Sequence, residues 1–193
     1  MNVAELVRCE TLACADVAHD RYAVPVGPPQ PDDVTILMIA EAPPRDPADW
    51  LTTVEAFRDA GEDVASLDDV LALGVYLTTA LKCGKTGYAV SRASIESCSR
   101  LLEEELGIFP LARVLMLMGD TAIKTVNAIA KRNRERRPVP AGATYRLRGG
   151  DYRFRGMRVV PSYLQVGPAF SIEKSKRRMI GEDIAAALAY VRG

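Results

Sequence analysis

The sequence predicts an α/β fold of three layers, α/β/α, with a central four-stranded, mainly parallel sheet and a short hairpin. Four short apolar runs have the character of strands covered on both faces, and they span residues 34–40, 75–81, 113–118 and 157–161. Helical patterns lie between these runs. Because strand and helix alternate along the chain, a parallel sheet with helices on both faces is favoured.

The remaining elements follow from periodicity and turn residues. Helices are predicted over residues 46–60, 67–73, 91–106, 121–131 and 172–191. Residues 144–154 alternate with a period of two, and Gly149 and Gly150 allow a tight turn, so a hairpin is predicted there. The chain has 193 residues without a repeat or an interdomain linker. We therefore expect one domain over residues 1–193.

Composition narrows the class of protein. Hydrophobic residues make up 48% and charged residues 26% of the chain, as in an ordinary globular protein. No apolar run approaches the roughly 20 residues of a membrane helix. The first residues lack the basic and apolar regions of a signal peptide, so we expect a cytoplasmic protein. We also expect a monomer. The segment KCGKTGY lacks the spacing of a phosphate-binding loop, which excludes a nucleoside triphosphatase of that type.

Charge is distributed unevenly along the chain. Residues 1–70 contain 15 acidic and 4 basic residues, whereas residues 131–158 contain 10 basic and 2 acidic residues. A basic segment on a protein of zero net charge can face a nucleic acid. The alternative is a solvated surface with scattered arginines.

Four cysteines stand at positions 9, 14, 83 and 98. Disulfides are not expected in a cytoplasmic protein. Four thiolates suit a [4Fe–4S] cluster or a structural zinc ion, because both bind soft anionic sulfur. The alternative is four unrelated thiols packed as small apolar side chains.

The predicted topology also places the binding site. In open parallel sheets, ligands bind beyond the carboxyl ends of the strands. Residues 41–50, 79–88, 119–121 and 162–170 follow the four predicted strands. We expect these segments to meet at one crevice.

Four segments carry a resemblance to a known family, and they are MIAEAPPRDP (38–47), VYLTTALKC (75–83), ESCSRLLEEELGIFPLARVLMLMGDTAIK (96–124) and RVVPSYLQVGPAF (158–170). In this order they resemble the iron–sulfur uracil-DNA glycosylases of the family 4 and 5 type. The first resembles a strand ending in G-E-x-P-G, and the second a strand ending in T-N-x-x-K-C. The third resembles a segment of the form C-x3-L-x-x-E-L…P…LG-x-x-A.

The resemblance implies a DNA glycosylase that binds DNA, single-stranded or containing uracil, and hydrolyses the N-glycosidic bond of a flipped, deaminated base. It implies that Glu41 and Asp46 are the catalytic carboxylates, with Asp46 orienting water; Asp46 can also cap the helix that follows it. It implies a base pocket formed by Ala42, Pro43, Trp50, Thr79, Ser162, Tyr163 and Leu164. Trp50 can equally be a core residue.

The same resemblance implies that Cys9, Cys14, Cys83 and Cys98 hold a structural [4Fe–4S] cluster. Gln165, in the loop that would approach DNA, is implied to be a DNA-binding residue. Further DNA contacts are predicted from charge, at Arg136 and Arg137 and at Lys174, Lys176, Arg177 and Arg178. The second cluster opens the last helix, where cations are unfavourable unless an anion is near.

The sequence departs from the family pattern at two positions. Leu164 stands where the family has a histidine, and Thr79 stands where it has the asparagine that reads the base. The only histidine of the chain, His19, is predicted to be a surface or structural residue. Three functions are therefore open: an active glycosylase, a non-catalytic nucleic-acid-binding protein that keeps the cluster, and a hydrolase of another nucleobase compound.

Overall fold

A computed structural model describes residues 2–25 and 30–193 of the chain. The strands of this described part are β1 (Val17–Ala18), β2 (Ile36–Ala40), β3 (Val75–Thr79), β4 (Gly84–Lys85), β5 (Val114–Met118), β6 (Tyr152–Phe154) and β7 (Met157–Ser162). The helices are α1 (Val3–Leu6), α2 (Leu51–Asp59), α3 (Leu67–Ala72), α4 (Arg92–Leu106), α5 (Asp120–Arg132), α6 (Thr144–Leu147), α7 (Pro168–Ile172) and α8 (Lys174–Arg192). Short 3-10 turns cover His19–Arg21, Pro31–Asp33 and Pro47–Trp50.

The central sheet has five strands in the order β3-β2-β5-β7-β6. The first four strands are parallel, and β6 joins the edge antiparallel to β7. A second, two-stranded sheet joins β1 to β4. The predicted α/β class with a mainly parallel sheet is confirmed. The four predicted strands are β2, β3, β5 and β7, and the fifth strand comes from the hairpin.

The hairpin lies further along the chain than the sequence predicts. Residues Thr144–Leu147 form helix α6, and Gly149, at φ +75°, follows it. The hairpin is β6–β7, and its two-residue turn is Arg155–Gly156, with φ of +48° and +84°. Positive φ at both turn residues matches the twist of a tight hairpin. The predicted placement over 144–154 is therefore wrong, since the helical turn buries Leu147 in the core instead.

Two apolar cores cover the two faces of the sheet. Successive strand residues point to opposite faces, so Leu37 and Leu115 pack against α4 and α5, while Met38 and Met116 pack against α2 and α8. Every residue of β2 and β5 is buried. This explains why these two strands are almost entirely apolar.

The predicted helices match α3, α4, α5 and α8 within two residues, whereas residues 46–60 divide into the 3-10 turn Pro47–Trp50 and α2. Helix α7 was not predicted, and Glu173 at φ −94° and ψ +78° separates it from α8. Ser91 caps α4 by accepting a hydrogen bond from the Ser94 N–H.

Within residues 2–25 and 30–193, no helix is long and apolar enough to cross a lipid bilayer.

Candidate functional site at the carboxyl edge of the sheet

Strand β2 marks the point where the chain changes sides in the sheet. It pairs with β3, the next strand of the sheet along the chain, on one side and with β5 on the other. A crevice is expected outside the carboxyl ends of two strands at such a switch point. Glu41 follows β2 and Gly119 follows β5, so these two residues stand at its centre.

The Glu41 carboxylate is held by two groups at this point. Its Oε1 accepts a hydrogen bond from the Thr121 N–H at 3.1 Å, at the start of α5, and its Oε2 pairs with Lys85 Nζ at 2.7 Å. The positive end of the α5 dipole also favours a carboxylate here. A Cβ on Gly119, whose φ is +101°, would lie 2.7 Å from Glu41 Oε1. Glycine at 119 therefore lets the carboxylate approach the backbone of β5.

Lys85 is a site residue that the sequence analysis missed. It lies in the segment 79–88 that was expected at the crevice, and its side chain is only 21% exposed. Its ammonium also lies 5.7 Å from the ring centroid of Tyr88, which is fully exposed. The available signal was a lysine two residues after Cys83 in a segment expected at the crevice.

Asp46 and its neighbours form a turn at the mouth of the crevice. Asp46 is exposed, and its Oδ1 accepts a hydrogen bond from the Ala48 N–H at 2.9 Å, which caps the turn that ends at Trp50. Pro43 is buried and Trp50 is half-buried. The expected capping role of Asp46 is confirmed. Its second carboxylate oxygen has no hydrogen bond among the described residues.

Three buried polar atoms lack a partner within the described residues, and they are Thr79 Oγ1, Gln165 Oε1 and Thr53 Oγ1. Gln165 is fully buried, and its Nε2 donates only to Met38 Sδ at 3.4 Å. Thr79 pairs with Ala40 across the strands, on the same sheet face as Met38. A buried polar atom without a partner is costly unless water or a ligand satisfies it.

The remaining loop residues are tied to the core. The Ser162 hydroxyl donates to Asp183 Oδ2 at 2.5 Å, and Arg148 holds the same carboxylate through two bonds of 2.8 and 2.9 Å. Tyr163 and Leu164 pack against the core on the α2 and α8 face. Ser162 therefore anchors the loop to α8.

The four cysteines lie in one neighbourhood. Burial, followed by the thiols of Cys98, Cys9 and Cys14, raises the pKa of Cys83 to about 11. Burial also raises the pKa of Cys98, although its sulfur accepts the Lys82 backbone N–H, which acts in the opposite direction. The other three thiols are thus all close enough to Cys83 to affect its pKa.

Local bonds hold the amino-terminal arm, residues 2–25, against the segment that carries Cys83. Strand β1 pairs with β4, with Val17 opposite Lys85. The Ala23 N–H donates to the Lys82 carbonyl at 2.7 Å, and the Cys9 N–H donates to the Tyr22 hydroxyl at 3.1 Å. The arm carrying Cys9 and Cys14 is therefore placed by the fold itself.

His19 lies at this cysteine cluster. Its Nδ1 is 3.2 Å from Cys83 Sγ, and the ring is half-buried. The prediction of a surface or structural histidine did not anticipate this contact, because 64 residues separate the two side chains. Among the described residues, no three His, Cys, Asp or Glu side chains are arranged to hold a metal ion together.

A buried ion pair beneath the crevice was also missed. Lys82 and Glu105 are both fully buried and form a short ion pair. Lys82 Nζ also donates to Thr78 Oγ1 and to the Thr79 carbonyl, while Tyr76 donates to Glu105. Burial, followed by the charge of Glu105, raises the pKa of Tyr76. Glu105 lies three residues after Leu102, on the apolar side of α4, which was the available signal.

The predicted basic cluster of α8 is largely neutralised within the protein. Arg177 pairs with Asp59 and Glu55 at 2.5 and 3.0 Å, Lys176 pairs with Glu173 at 2.5 Å, and Arg178 pairs with Glu182 at 3.5 Å. These acids offset the unfavourable position of cations at a helix start. The cations at the start of α8 had indicated an external anion, but acids of the protein itself supply part of the negative charge that these cations need.

Arg136 and Arg137 follow α5 and are exposed. Arg137 Nε donates to the Val139 carbonyl at 2.8 Å.

Fold and site together define an open, doubly wound α/β domain whose crevice lies at the switch point between β2 and β5, beside a group of four cysteines. No family model matches the chain. Over 100 residues the chain is 31% identical to a type-5 uracil-DNA glycosylase of Thermus thermophilus. The match covers 52% of this chain and 46% of that relative, so it spans about half the length of each. It confirms the resemblance to the uracil-DNA glycosylase superfamily that the four sequence segments predicted.

Proposed function

We propose that the protein is a DNA glycosylase that hydrolyses the N-glycosidic bond of a flipped, deaminated base such as uracil. The observation that carries this proposal is the similarity to a type-5 uracil-DNA glycosylase. Its support in the fold is the crevice at the switch point, where Glu41 and the segment 41–50 stand. DNA, single-stranded or containing uracil, is the proposed partner, and the acting species is a monomer.

The reaction requires the base to leave the DNA stack. Extrusion of a nucleotide costs a few kcal/mol and brings its sugar–base bond to the protein. When that bond breaks, its electron pair leaves with the base and the sugar becomes a cation. Water then adds its oxygen to C1′ and releases one proton, while the departing base gains one.

Asp46 is the proposed acid that orients this water. It is exposed at the mouth of the crevice, and one carboxylate oxygen remains available after the other has accepted the Ala48 N–H. Both oxygens of Glu41 are engaged by Thr121 and Lys85. Glu41 accordingly supplies fixed negative charge near the sugar cation and positions α5, and the proton of the water passes to Asp46 or to solvent.

Recognition of the base falls to the loops beside Asp46. The proposed pocket is Ala42, Pro43, Trp50, Thr79, Ser162, Tyr163 and Leu164, with Gln165 at its back. Leu164 offers no donor to the base oxygen, so backbone N–H groups of residues 162–167 are the proposed donors. The unpartnered oxygens of Thr79 and Gln165 support a polar ligand in this region.

We propose further that Cys9, Cys14, Cys83 and Cys98 hold a [4Fe–4S] cluster. All four donors are thiols, and Cys98, Cys9 and Cys14 all lie close enough to Cys83 to raise its pKa, which supports a common ligand. A zinc ion needs sulfurs about 2.3 Å from one centre. Structural zinc, held by the same four thiolates, is the alternative. When bound, the group cross-links the amino-terminal arm to the sheet.

The test of the activity is release of free base from single-stranded oligonucleotides that contain uracil or hypoxanthine. We expect release by the native protein and a loss of about 10²–10⁴-fold in Asp46→Asn, as for removal of an acid–base group. Asparagine still caps a helix well, so the fold is retained. Asp49→Asn, in the same turn, is the matched control and should keep the native rate.

The second candidate function is non-catalytic binding of nucleic acid, which the substitutions at Thr79 and Leu164 favour. Absence of base release from every substrate, with retained salt-dependent DNA binding, would establish that alternative.

The cofactor has its own test. Protein purified without oxygen should absorb broadly in the visible range and contain iron and sulfide, and Cys83→Ser should lose both. Zinc in place of iron would refute the cluster without affecting the proposal about DNA.

A further inference from the structure

A groove of about 940 Å³ lies between α4 and α5, and none of its lining residues belongs to the four segments of the crevice. Its floor is apolar and contains Val90, Ile95 and Ala128. Its walls come from the outer faces of the two helices and from the segment that follows α5.

Positive charge dominates the walls. The lining cations are Arg92, Arg100, Lys124, Lys131, Arg132, Arg134 and Arg137, and the lining acids are Glu96 and Glu135. Glu135 pairs with Arg155, a cation outside the lining of the groove. The groove therefore carries a clear excess of positive charge.

Three of these cations have no internal partner. Within the described chain, Arg100, Lys131 and Arg134 are exposed and make no side-chain hydrogen bond or ion pair. By contrast, Arg92 pairs with Glu96, Lys124 with Asp120 and Arg132 with Glu103. Exposed pairs of this kind are weak, and a polyanion can compete for them.

The groove adjoins both the crevice and the cysteines. Its floor residues Val90, Ile95 and Ala128 belong to a small apolar cluster that also contains Cys98 and Ala42 of the first motif. This apolar cluster therefore places the floor of the groove close to Ala42 at the crevice.

We propose that this groove binds the sugar–phosphate backbone of the nucleic-acid strand that flanks the base in the crevice. No aromatic side chain is among the described residues that line it. Contacts are then to phosphates, which set affinity and position and not sequence. The link to a base in the crevice rests on the proposed function, whereas backbone binding itself does not.

The test replaces the three free cations together, as Arg100→Gln/Lys131→Gln/Arg134→Gln. The probe is an unmodified single strand of about 20 nucleotides, longer than the roughly 4–16 that a single-strand-binding fold covers. Each lost phosphate contact should reduce the slope of log affinity against log salt by about 0.7. We expect a slope reduced by about 2 and an affinity at least about 10-fold lower at low salt.

The control removes three cations elsewhere, as Arg113→Gln/Arg153→Gln/Arg192→Gln. Arg113 and Arg153 donate to Val191 and Tyr190 near the end of α8, and Arg192, the last residue of α8, pairs with Glu62. None of these three arginines lines the groove. This control should keep the native salt slope. An equal loss of DNA affinity in both triple variants would overturn the proposal. So would an unchanged affinity and salt slope in a groove variant whose melting temperature is also unchanged.

Base release separates this proposal from the proposed function. On a uracil-containing trinucleotide, too short to fill crevice and groove together, the groove variant should release base at the native rate. If neither the native protein nor the groove variant releases base, and only the groove variant loses DNA binding, the groove proposal is supported and the glycosylase proposal is refuted.

Discussion

Lys82 and Glu105 show how a charged pair can lie in the interior of this molecule. Both side chains are fully buried, and every hydrogen bond of the pair is to a neighbouring polar group, with Thr78 bonded to both. Desolvation of two charges costs several kcal/mol, and attraction between them offsets it only when their other hydrogen bonds are made. This network places Cys83, the residue after Lys82, and the carboxyl end of β3.

Removal of one partner should therefore cost more than removal of both charges. We expect Lys82→Met to lower the free energy of unfolding by about 3–5 kcal/mol, because it leaves the Glu105 carboxylate buried without a cation. The double variant Lys82→Met/Glu105→Gln should recover part of this loss. Urea unfolding of the native protein, both single variants and the double variant measures the coupling, and additive losses would contradict the pairing.

At the scale of elements, the amino-terminal arm depends on a few polar contacts with α4. The Asp16 carboxylate accepts a hydrogen bond from the Ser91 N–H at 2.6 Å and another from the Ser94 hydroxyl. These bonds lower the pKa of Asp16 from its ordinary value, the Ser91 backbone bond contributing most. Thr86 adds a bond to the Asp16 carbonyl at 2.8 Å.

The depressed pKa fixes the direction of a pH effect. The Asp16 contribution to stability is present above the unfolded pKa of about 3.9 and is lost as pH falls through the lower folded value. We expect Asp16→Asn to raise hydrogen exchange in residues 2–25 at pH 7, and the native and variant proteins to become alike once the pH is low enough to protonate Asp16 in the folded state. Asp20→Asn, an exposed change on the same arm, should leave exchange unchanged; an equal effect would contradict a specific role for Asp16.

For the whole molecule, the sheet and its two cores form the stable body, and the arm is attached to one edge. The cores bury β2 and β5 completely, whereas Cys9 and Cys14 lie on an arm with few buried apolar residues, such as Val3 and Val7. A bound group that links this arm to Cys83 and Cys98 would stabilise the folded state, because it binds the folded chain more strongly than the unfolded one.

Removal of the proposed cluster should therefore loosen one part of the molecule first. We expect chelation of iron after oxidation to lower the melting temperature and to raise hydrogen exchange in residues 2–25 and 83–98. Exchange in β2 and β5 should stay slow. A uniform rise throughout the sheet would show that the group supports the whole fold, and no change anywhere would show that it does not cross-link the arm.

Local patterns in the sequence determined the order of strands and helices and the four loops at the carboxyl edge. Apolar runs and helical periodicity predict β2, β5 and α5 because each is a property of neighbouring residues. The hairpin was misplaced because a Gly–Gly pair is compatible with both a hairpin turn and a helix end, and only burial of Leu147 against the core selects the helix.

The tertiary structure alone decided which distant side chains meet. Residues that are far apart in the chain meet in the Lys82–Glu105 pair, the His19–Cys83 contact, the Glu41–Lys85 pair and the basic groove. No local periodicity encodes such pairings, because they depend on how the sheet is ordered and how α4 and α5 cross it. The sequence thus determined which polar and charged side chains lie in the segments at this edge, and packing decided which of them are paired within the protein.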